Sequence, residues 1–406
     1  MNKVQRFALF FLLAFALVAG SVFLQHTIRR LLDAPIYNPN PWVTGYLPAY
    51  RQSDDGIRFM RRQDYAMLTH LAHASFQPLP DGTLDEAANV YTPEHRQQAV
   101  QAARATHRPV LLVIMGSYET FSAAIRPDTR QMFIHNILRT LDTDGYDGVD
   151  IDMEPITRKA KTDNPDFIQF IKDLHKALQT RHNPRLGRPP LLTAAVSLND
   201  RHVMAKLYPQ FDQINIMTYD MAQPYTGWVP WFDSALHNGD FIFPGHTHEV
   251  PSVENWVEAF LDAGIPRRKL GIGISLDVAC WQGGIVREGQ GVTQAREPWV
   301  EAPQYFKRSY AEMSQSGWMP TTYRWDKAAQ MAWFSVDSPD PAQDMFCNFN
   351  DPQAIAAKLE FVREQGLGGL IVWELALDQD DTQPNKPPPL RNALREALAK
   401  PNRKLN

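Results

Sequence analysis

Cysteine is almost absent from this chain of 406 residues: only Cys280 and Cys347 occur. Two sulfurs cannot build a disulfide-framed miniature fold or any CxxC-type zinc or iron–sulfur site. Outside the cytosol the two could pair; two unpaired buried thiols are the alternative. An excess of one charge is lacking too. Lys and Arg number 41 against 45 Asp and Glu, a net charge of −4, which excludes a dedicated nucleic-acid binder. No Walker-type or dinucleotide glycine motif, no Asn-x-Ser/Thr sequon and no short internal repeat is present, and no cofactor is expected. Glycine, with 22 residues, is outnumbered by 31 prolines, which predicts many stiff loops. What the chain does have is 44% hydrophobic and 11% aromatic residues, enough for a full core.

Lys3 and Arg6 precede Phe7–Leu24, an uncharged run of 18 residues, and Arg29 and Arg30 follow it. A secretory apolar region of about 7–15 residues and a membrane span of about 20 bracket this length. Val18-Ala19-Gly20 is a poor cleavage site. Residues 1–35 are therefore read as a signal anchor or signal peptide, the anchor being preferred. The expectation is export, with residues 36–400 outside the cytoplasm. They would be membrane-held through the N-terminal segment, or secreted if it is cleaved, with 401–406 as a tail.

Short apolar runs alternate with helical patterns along the rest of the chain. The runs are Val43–Tyr46, Leu71–Phe76, Val110–Gly116, Gly148–Glu154, Leu191–Ser197, Ile214–Tyr219, Leu270–Ser275 and Gly369–Glu374. Several are apolar on both faces, as strands of a covered parallel sheet must be. Between them, Phe167, Phe170, Ile171, Leu174 and Leu178 fall at helical spacing, and Gly366 marks a helix stop. Eight strands alternating with helices predict an α/β fold, a (β/α)8 TIM barrel. More than 90 residues separate the seventh run from the eighth. An inserted α+β subdomain, about residues 277–345, is expected there. Its aromatics, including Trp281, Tyr305, Tyr310, Trp318, Tyr323, Trp325 and Trp333, would form its own core or a wall for a flat ligand.

The chemistry gathers in one strand, Asp147-Gly148-Val149-Asp150-Ile151-Asp152-Met153-Glu154. Alternate strand residues share a face, so Asp150, Asp152 and Glu154 point together, and Asp147 is out of phase at the strand entrance. Inside a barrel three carboxylates are costly unless protonated, shared or hydrogen-bonded. Such a row can bind a divalent metal. It can also share protons, raising one pKa and keeping an acid neutral at working pH. Glycosidic cleavage demands such an acid, because the leaving oxygen is poor until protonated.

This strand resembles the signature of glycoside hydrolase family 18, the chitinases and their relatives. Gly45-Tyr46 with Tyr50 is similar to that family's first strand, and Ala74-Ser75-Phe76 to its second. Met217-Thr218-Tyr219-Asp220-Met221 is similar to the sixth, and Trp373-Glu374 to the eighth. The resemblance covers about Trp42 to Ala399. It implies a glycosidase acting on β-1,4-linked N-acetylglucosamine polymers, chitin or chito-oligosaccharides, by a retaining, substrate-assisted route. Glu154 would be the general acid and later the base. Asp152 would orient the substrate's acetamido group, with Asp150 sharing its proton, and Tyr219 would hold the acetamido oxygen. Tyr46, Phe76, Met217, Asp220 and Trp373 would contact the sugar, Trp373 as a floor. No metal is implied, and a monomer is expected.

One departure stands out. The family's third strand commonly ends in Ser-x-Gly-Gly, and Ile114-Met115-Gly116-Ser117 is aligned with it here, without the serine that often supports the buried aspartates. Ser197 is a candidate substitute. Trp228 and Trp231 either extend the sugar platform or pack their loop, and His246-Thr247-His248-Glu249 lacks a third zinc ligand in view. Rivals within the family are an endo-β-N-acetylglucosaminidase acting on N-glycans and a peptidoglycan hydrolase. Outside enzymology stands a non-catalytic chitin-binding lectin, which typically lacks the acid that Glu154 supplies; a metal-dependent barrel hydrolase is the last rival.

Overall fold

The computed structural model describes residues 35–52, 65–159, 162–317, 319, 323–380, 382–383 and 386–400. Residues 1–34 of the expected anchor or signal, Trp318 and the 401–406 tail lie outside that range. Among the described residues no helix is long and apolar enough to cross a membrane.

Eight strands form the barrel: β1 (Trp42–Pro48), β2 (His70–Pro78), β3 (Val110–Ser117), β4 (Gly148–Glu154), β5 (Leu191–Val196), β6 (Gln213–Ile216), β7 (Leu270–Ser275) and β8 (Gly369–Trp373). All pair in parallel in chain order, and β8 returns to β1, so the sheet closes on itself. This is the expected (β/α)8 barrel. Closure leaves no barrel edge, and the covering helices explain why β5 is buried along its whole length.

Helix starts follow local chemistry. Asn164 caps Pro165–Gln179 by accepting from Phe167 N at 3.0 Å, and Asp351 caps Pro352–Glu364 by accepting from Ala354 N at 2.8 Å. Prolines stand in the first turn of both, and of Pro93–Ala105 and Pro389–Ala399. Part of the proline excess thus starts helices, where a missing N–H costs nothing, rather than stiffening loops. Phe167, Phe170, Ile171, Leu174 and Leu178 form the buried face of Pro165–Gln179. Each such side chain contributes about 1.5–3 kcal/mol by leaving water.

Between β7 and β8 lies a five-stranded antiparallel sheet. Its strands in spatial order are Gln304–Ser309, Asp277–Gln282, Met345–Phe349, Met331–Val336 and Arg324–Asp326. Cys280 and Cys347 face each other across two neighbouring strands and are joined as a disulfide. Trp281, Met331 and Phe346 pack on one face with Trp231 and Phe232; Cys280, Phe334, Cys347 and Phe349 pack on the other. Most of the subdomain's aromatics therefore belong to its packing, not to a ligand wall.

Candidate active site

β4 carries the acids from the barrel interior to its mouth. Asp150 and Asp152 are buried, while Glu154 is exposed at the strand's carboxyl end. Pairing registers set their neighbours: Val113 and Thr193 flank Asp150, Met115 stands beside Asp152, and Ser117 beside Glu154. Tyr46 on β1 donates its hydroxyl to Asp150 Oδ2 at 2.7 Å, and Thr193 Oγ1 donates to Oδ1. Burial nonetheless outweighs these two bonds and raises the Asp150 pKa.

Asp152 is pushed well above the usual carboxylate range, first by burial and then by the charges of Glu154 and Asp150. Its carboxyl and that of Glu154 share a hydrogen bond, and both titrations move upward. Glu154 keeps open surface at the mouth, but the protein packed around its carboxyl removes much of its water; this desolvation is the main cause of its rise, offset by that bond and reinforced by Asp220 and Asp200. Two carboxyls this close hold a proton between them as one unit. Asp152 Oδ1 is buried and, among the described residues, accepts no hydrogen bond. A ligand N–H reaching it would satisfy an acceptor that the protein leaves open.

Tyr219 follows β6. The strand was expected through Tyr219 but ends at Ile216, because Thr218 bonds to β7 through its side chain: Oγ1 accepts from Gly273 N and donates to Gly273 O, both at 2.9 Å. A Cβ on Gly273 would come within 2.5 Å of Tyr219 Cε1, so the phenol needs glycine beneath it. Burial, then the charges of Asp152 and Glu154, push the phenol pKa well up, so Tyr219 stays a proton donor. Trp373 and Met217 pack with Tyr46, Ala72, Ala74, Val113 and Tyr219 in one apolar floor, the Trp373 and Tyr46 rings 5.7 Å apart. Glu374 is held by Tyr50 Oη at 2.6 Å and Arg51 Nε at 2.7 Å, which ties the end of β8 to the end of β1.

Two expected sugar contacts stand elsewhere. Strict alternation along β2 would set Phe76 in phase with Ala72 and Ala74, but the pairing of β2 with β3 shifts register between His73 and Phe76. Its ring accordingly joins the core outside the barrel, 4.6 Å from Tyr91 and under the Arg96 guanidinium at 5.1 Å. Tyr46 lies beneath the site, its hydroxyl committed to Asp150. Asp147 serves the strand entrance, accepting from Val110 N and Asn183 Nδ2 at 2.9 Å each and pairing with Arg185. Trp231 is fully buried, whereas Trp228 is half-buried between Tyr225 and Phe243. His246 and His248 stack 5.3 Å apart, and among the described residues no group of three or more side chains is arranged to hold a metal.

The inserted sheet adds a cluster that motif spacing missed. Asp220, its backbone in the left-handed region at φ 56°, pairs with Lys307 Nζ at 2.7 Å. The same ammonium reaches Asp233 at 3.1 Å and Asp277 at 3.4 Å, and Tyr305 donates to Asp233 at 2.8 Å. Burial raises Asp277 to about 6, against the pull of Lys307.

The sequence matches glycosyl hydrolases family 18 over residues 43–380, most of the chain. The chain belongs to that family. It is 29% identical over 308 residues to chitotriosidase-1 of Mus musculus, covering 67% of this chain and 58% of that protein. To chitinase A1 of Niallia circulans it is 24% identical over 283 residues, 64% of this chain and 38% of the other. The chain thus spans well under two thirds of the length of these curated relatives. Among solved structures, a family 18 N-acetylglucosaminidase from Paenibacillus barengoltzii superposes with a TM-score of 0.69 at 20% identity, covering 88% of this chain and 100% of that one. The family 18 chitinase of Cycas revoluta in complex with (GlcNAc)3 gives 0.70 at 18%, covering 88% and 99%. At such identities the two structures establish a shared fold.

The register of β3 against β4 corrects the expected alignment of the third strand. The residue beside Asp150 is Val113, whereas Ile114 pairs with Ile151 and faces the outer core. The hydroxyls that serve Asp150 come from Thr193 and Tyr46. Ser197, the expected substitute, instead donates to Asp200 Oδ2 at 2.8 Å. Thr193 stands directly across the ladder from Asp150, a neighbour that motif spacing alone does not reveal.

Proposed function

We propose that this family 18 protein is a retaining glycosidase that hydrolyses β-1,4 linkages in N-acetylglucosamine polymers, chitin or chito-oligosaccharides, with assistance from the substrate. The observation that carries this reading is the row of Asp150, Asp152 and Glu154 on one face of β4, running from the buried interior to the mouth, with Asp152 Oδ1 accepting no hydrogen bond among the described residues and Tyr219 packed in the floor inside the same barrel. Glu154 gives its proton to the glycosidic oxygen. The substrate's acetamido oxygen attacks the anomeric carbon as the bond to the leaving sugar breaks, giving a cyclic oxazolinium ion. Asp152 accepts the acetamido N–H at Oδ1 and offsets the positive charge, while Tyr219 holds the acetamido oxygen in line. The Glu154 carboxylate then takes a proton from water as that water opens the ring at the anomeric carbon. Two inversions leave the β configuration. Holding an intramolecular nucleophile at attack distance supplies much of the acceleration.

Trp373 is the plate beneath the distorted sugar, and Asp220, with Lys307 at its side, lines the mouth. The protein acts as a monomer outside the cytoplasm, held to the membrane by its N-terminal segment or secreted after cleavage. A buried Cys280–Cys347 disulfide supports an oxidising compartment. Asn38 bonds to Arg363 O and Leu367 O, so the chain enters at the base of the barrel, opposite the mouth, and an anchored enzyme presents its cleft away from the bilayer. A product profile on chitin, chito-oligosaccharides, peptidoglycan and a high-mannose glycopeptide tests the substrate. Release of chito-oligosaccharides alone is expected, and exclusive cleavage of either of the last two would replace this reading.

A further inference from the structure

The end of β6 is held from two sides. Gly273 grips Thr218 through its side chain, as described above. On the other side Thr218 O accepts from Ser234 Oγ at 2.6 Å, and Ser234 Oγ accepts in turn from Lys358 Nζ at 2.8 Å. Lys358 belongs to the helix Pro352–Glu364 and is fully buried. Its ammonium also donates to Asn350 Oδ1 and lies 3.5 Å from Met331 Sδ in the inserted sheet. Asn350 Nδ2 completes the frame by donating to Ser275 O, at the end of β7, at 3.0 Å. Burial lowers the Lys358 pKa to about 7, opposed by the more distant charges of Asp233 and Asp351. A buried amine costs desolvation that an apolar side chain of equal length would not, so packing alone does not account for it. What the amine adds is a fixed donor to the one hydroxyl that holds the Thr218 carbonyl.

We infer that Lys358 is a positioning residue for Tyr219: through Ser234 it fixes the Thr218 carbonyl, and with it the peptide that carries the phenol. The same struts join barrel, helix and inserted sheet at this point, so the phenol's placement depends on the docking of all three. This rests on the role proposed above for Tyr219, in which the phenol bond tightens as the acetamido oxygen attacks. A small displacement then costs turnover more than ground-state binding.

The test compares Lys358→Met, Ser234→Ala, Tyr219→Phe and the double variant Lys358→Met/Tyr219→Phe on a chito-oligosaccharide, with a thermal melt of each. Lys358→Met keeps the length of the stem and removes the donor. It should lower kcat by about 10-fold while KM changes by less than about 2-fold. Ser234→Ala should give the same split, and it carries the test should Lys358→Met fail to fold. In the Tyr219→Phe background, Lys358→Met should cost less than about 2-fold further, because the group it positions is gone. Normal turnover by both Lys358→Met and Ser234→Ala would overturn the positioning role. So would an impaired Tyr219→Phe enzyme on which Lys358→Met imposes its full loss again. An unimpaired Tyr219→Phe enzyme would instead overturn the role of Tyr219 itself, and the route from Lys358 with it.

Discussion

Asp152 and Glu154 stand one alternation apart on β4 and share a hydrogen bond between their carboxyls, yet only Glu154 reaches the barrel mouth. That relationship divides their labour: the exposed member can meet a glycosidic oxygen, while burial and then the charge of Glu154 itself hold the Asp152 carboxyl well above its usual range, so the pair titrates together. Glu154→Gln retains the shape of the side chain and removes its acidity. Turnover of a chito-oligosaccharide should fall by at least about 100-fold, the lower end for general acid–base catalysis, with binding by calorimetry largely kept. Near-normal turnover would remove Glu154 from the role of acid.

Asp200 gives a pH test of the same pair. It is buried, accepts from Ser197 N at 2.9 Å and from Ile156 N at 3.2 Å, and its charge raises both Asp152 and Glu154. Removing that charge lowers the pKa at which the pair gives up its proton. In Asp200→Asn the alkaline limb of kcat/KM should therefore move to lower pH, by about half a unit. An unmoved limb, in a variant that melts as the parent does, would mean that Asp200 only caps its turn.

The strand row was legible because period-two alternation puts Asp150, Asp152 and Glu154 on one face whatever lies around them. The same rule failed at Phe76, where a register shift between β2 and β3 turns the ring to the other side. Alternation carries no sign of such a shift. Lys307 was out of reach for another reason: it meets Asp220 only once the strand Gln304–Ser309, 84 or more residues further along, folds back over the mouth, and nothing local in that strand marks the docking. Thr193 was legible only after the β4–β5 register was known.

Acid should destabilise the fold through its buried histidines. Burial lowers His70 to about 4, and His73, bonded to Tyr146 Oη at 2.7 Å and Gln52 Oε1 at 2.6 Å, is also held well below its ordinary value. A depressed histidine pKa means that only the unfolded chain takes up the proton. The stability His70 contributes is thus present above about 6.5 and is lost as pH falls towards about 4, by up to about 1.4 kcal/mol per unit. The raised carboxyls of Asp150, Asp152 and Glu154 act with the opposite sign, so a difference is the measurement needed. Urea unfolding of His70→Asn should show a flatter loss of stability between pH 6.5 and 4 than the parent, and equal slopes would refute the assignment.

Substrate assistance is the sharpest test, because β4 offers no second carboxylate facing Glu154 across a bound sugar. Asp150 is fully buried and committed to Tyr46 and Thr193, and Asp152 lies behind Glu154 on the same strand. If the attacking oxygen comes from the substrate, the sugar on the non-reducing side of the broken bond must carry its N-acetyl group. Fully deacetylated chitosan should then be inert, although its ammonium groups are drawn to an acidic cleft. Partly deacetylated chitosan should be cut only after acetylated units, and the first product seen by NMR should be the β anomer. A thiazoline analogue of the oxazolinium ion should inhibit far more tightly than a chito-oligosaccharide of similar size binds, since it resembles the species nearest the transition state. Hydrolysis of fully deacetylated chitosan, or initial release of the α anomer, would require a nucleophile or base from the protein itself and would set substrate assistance aside.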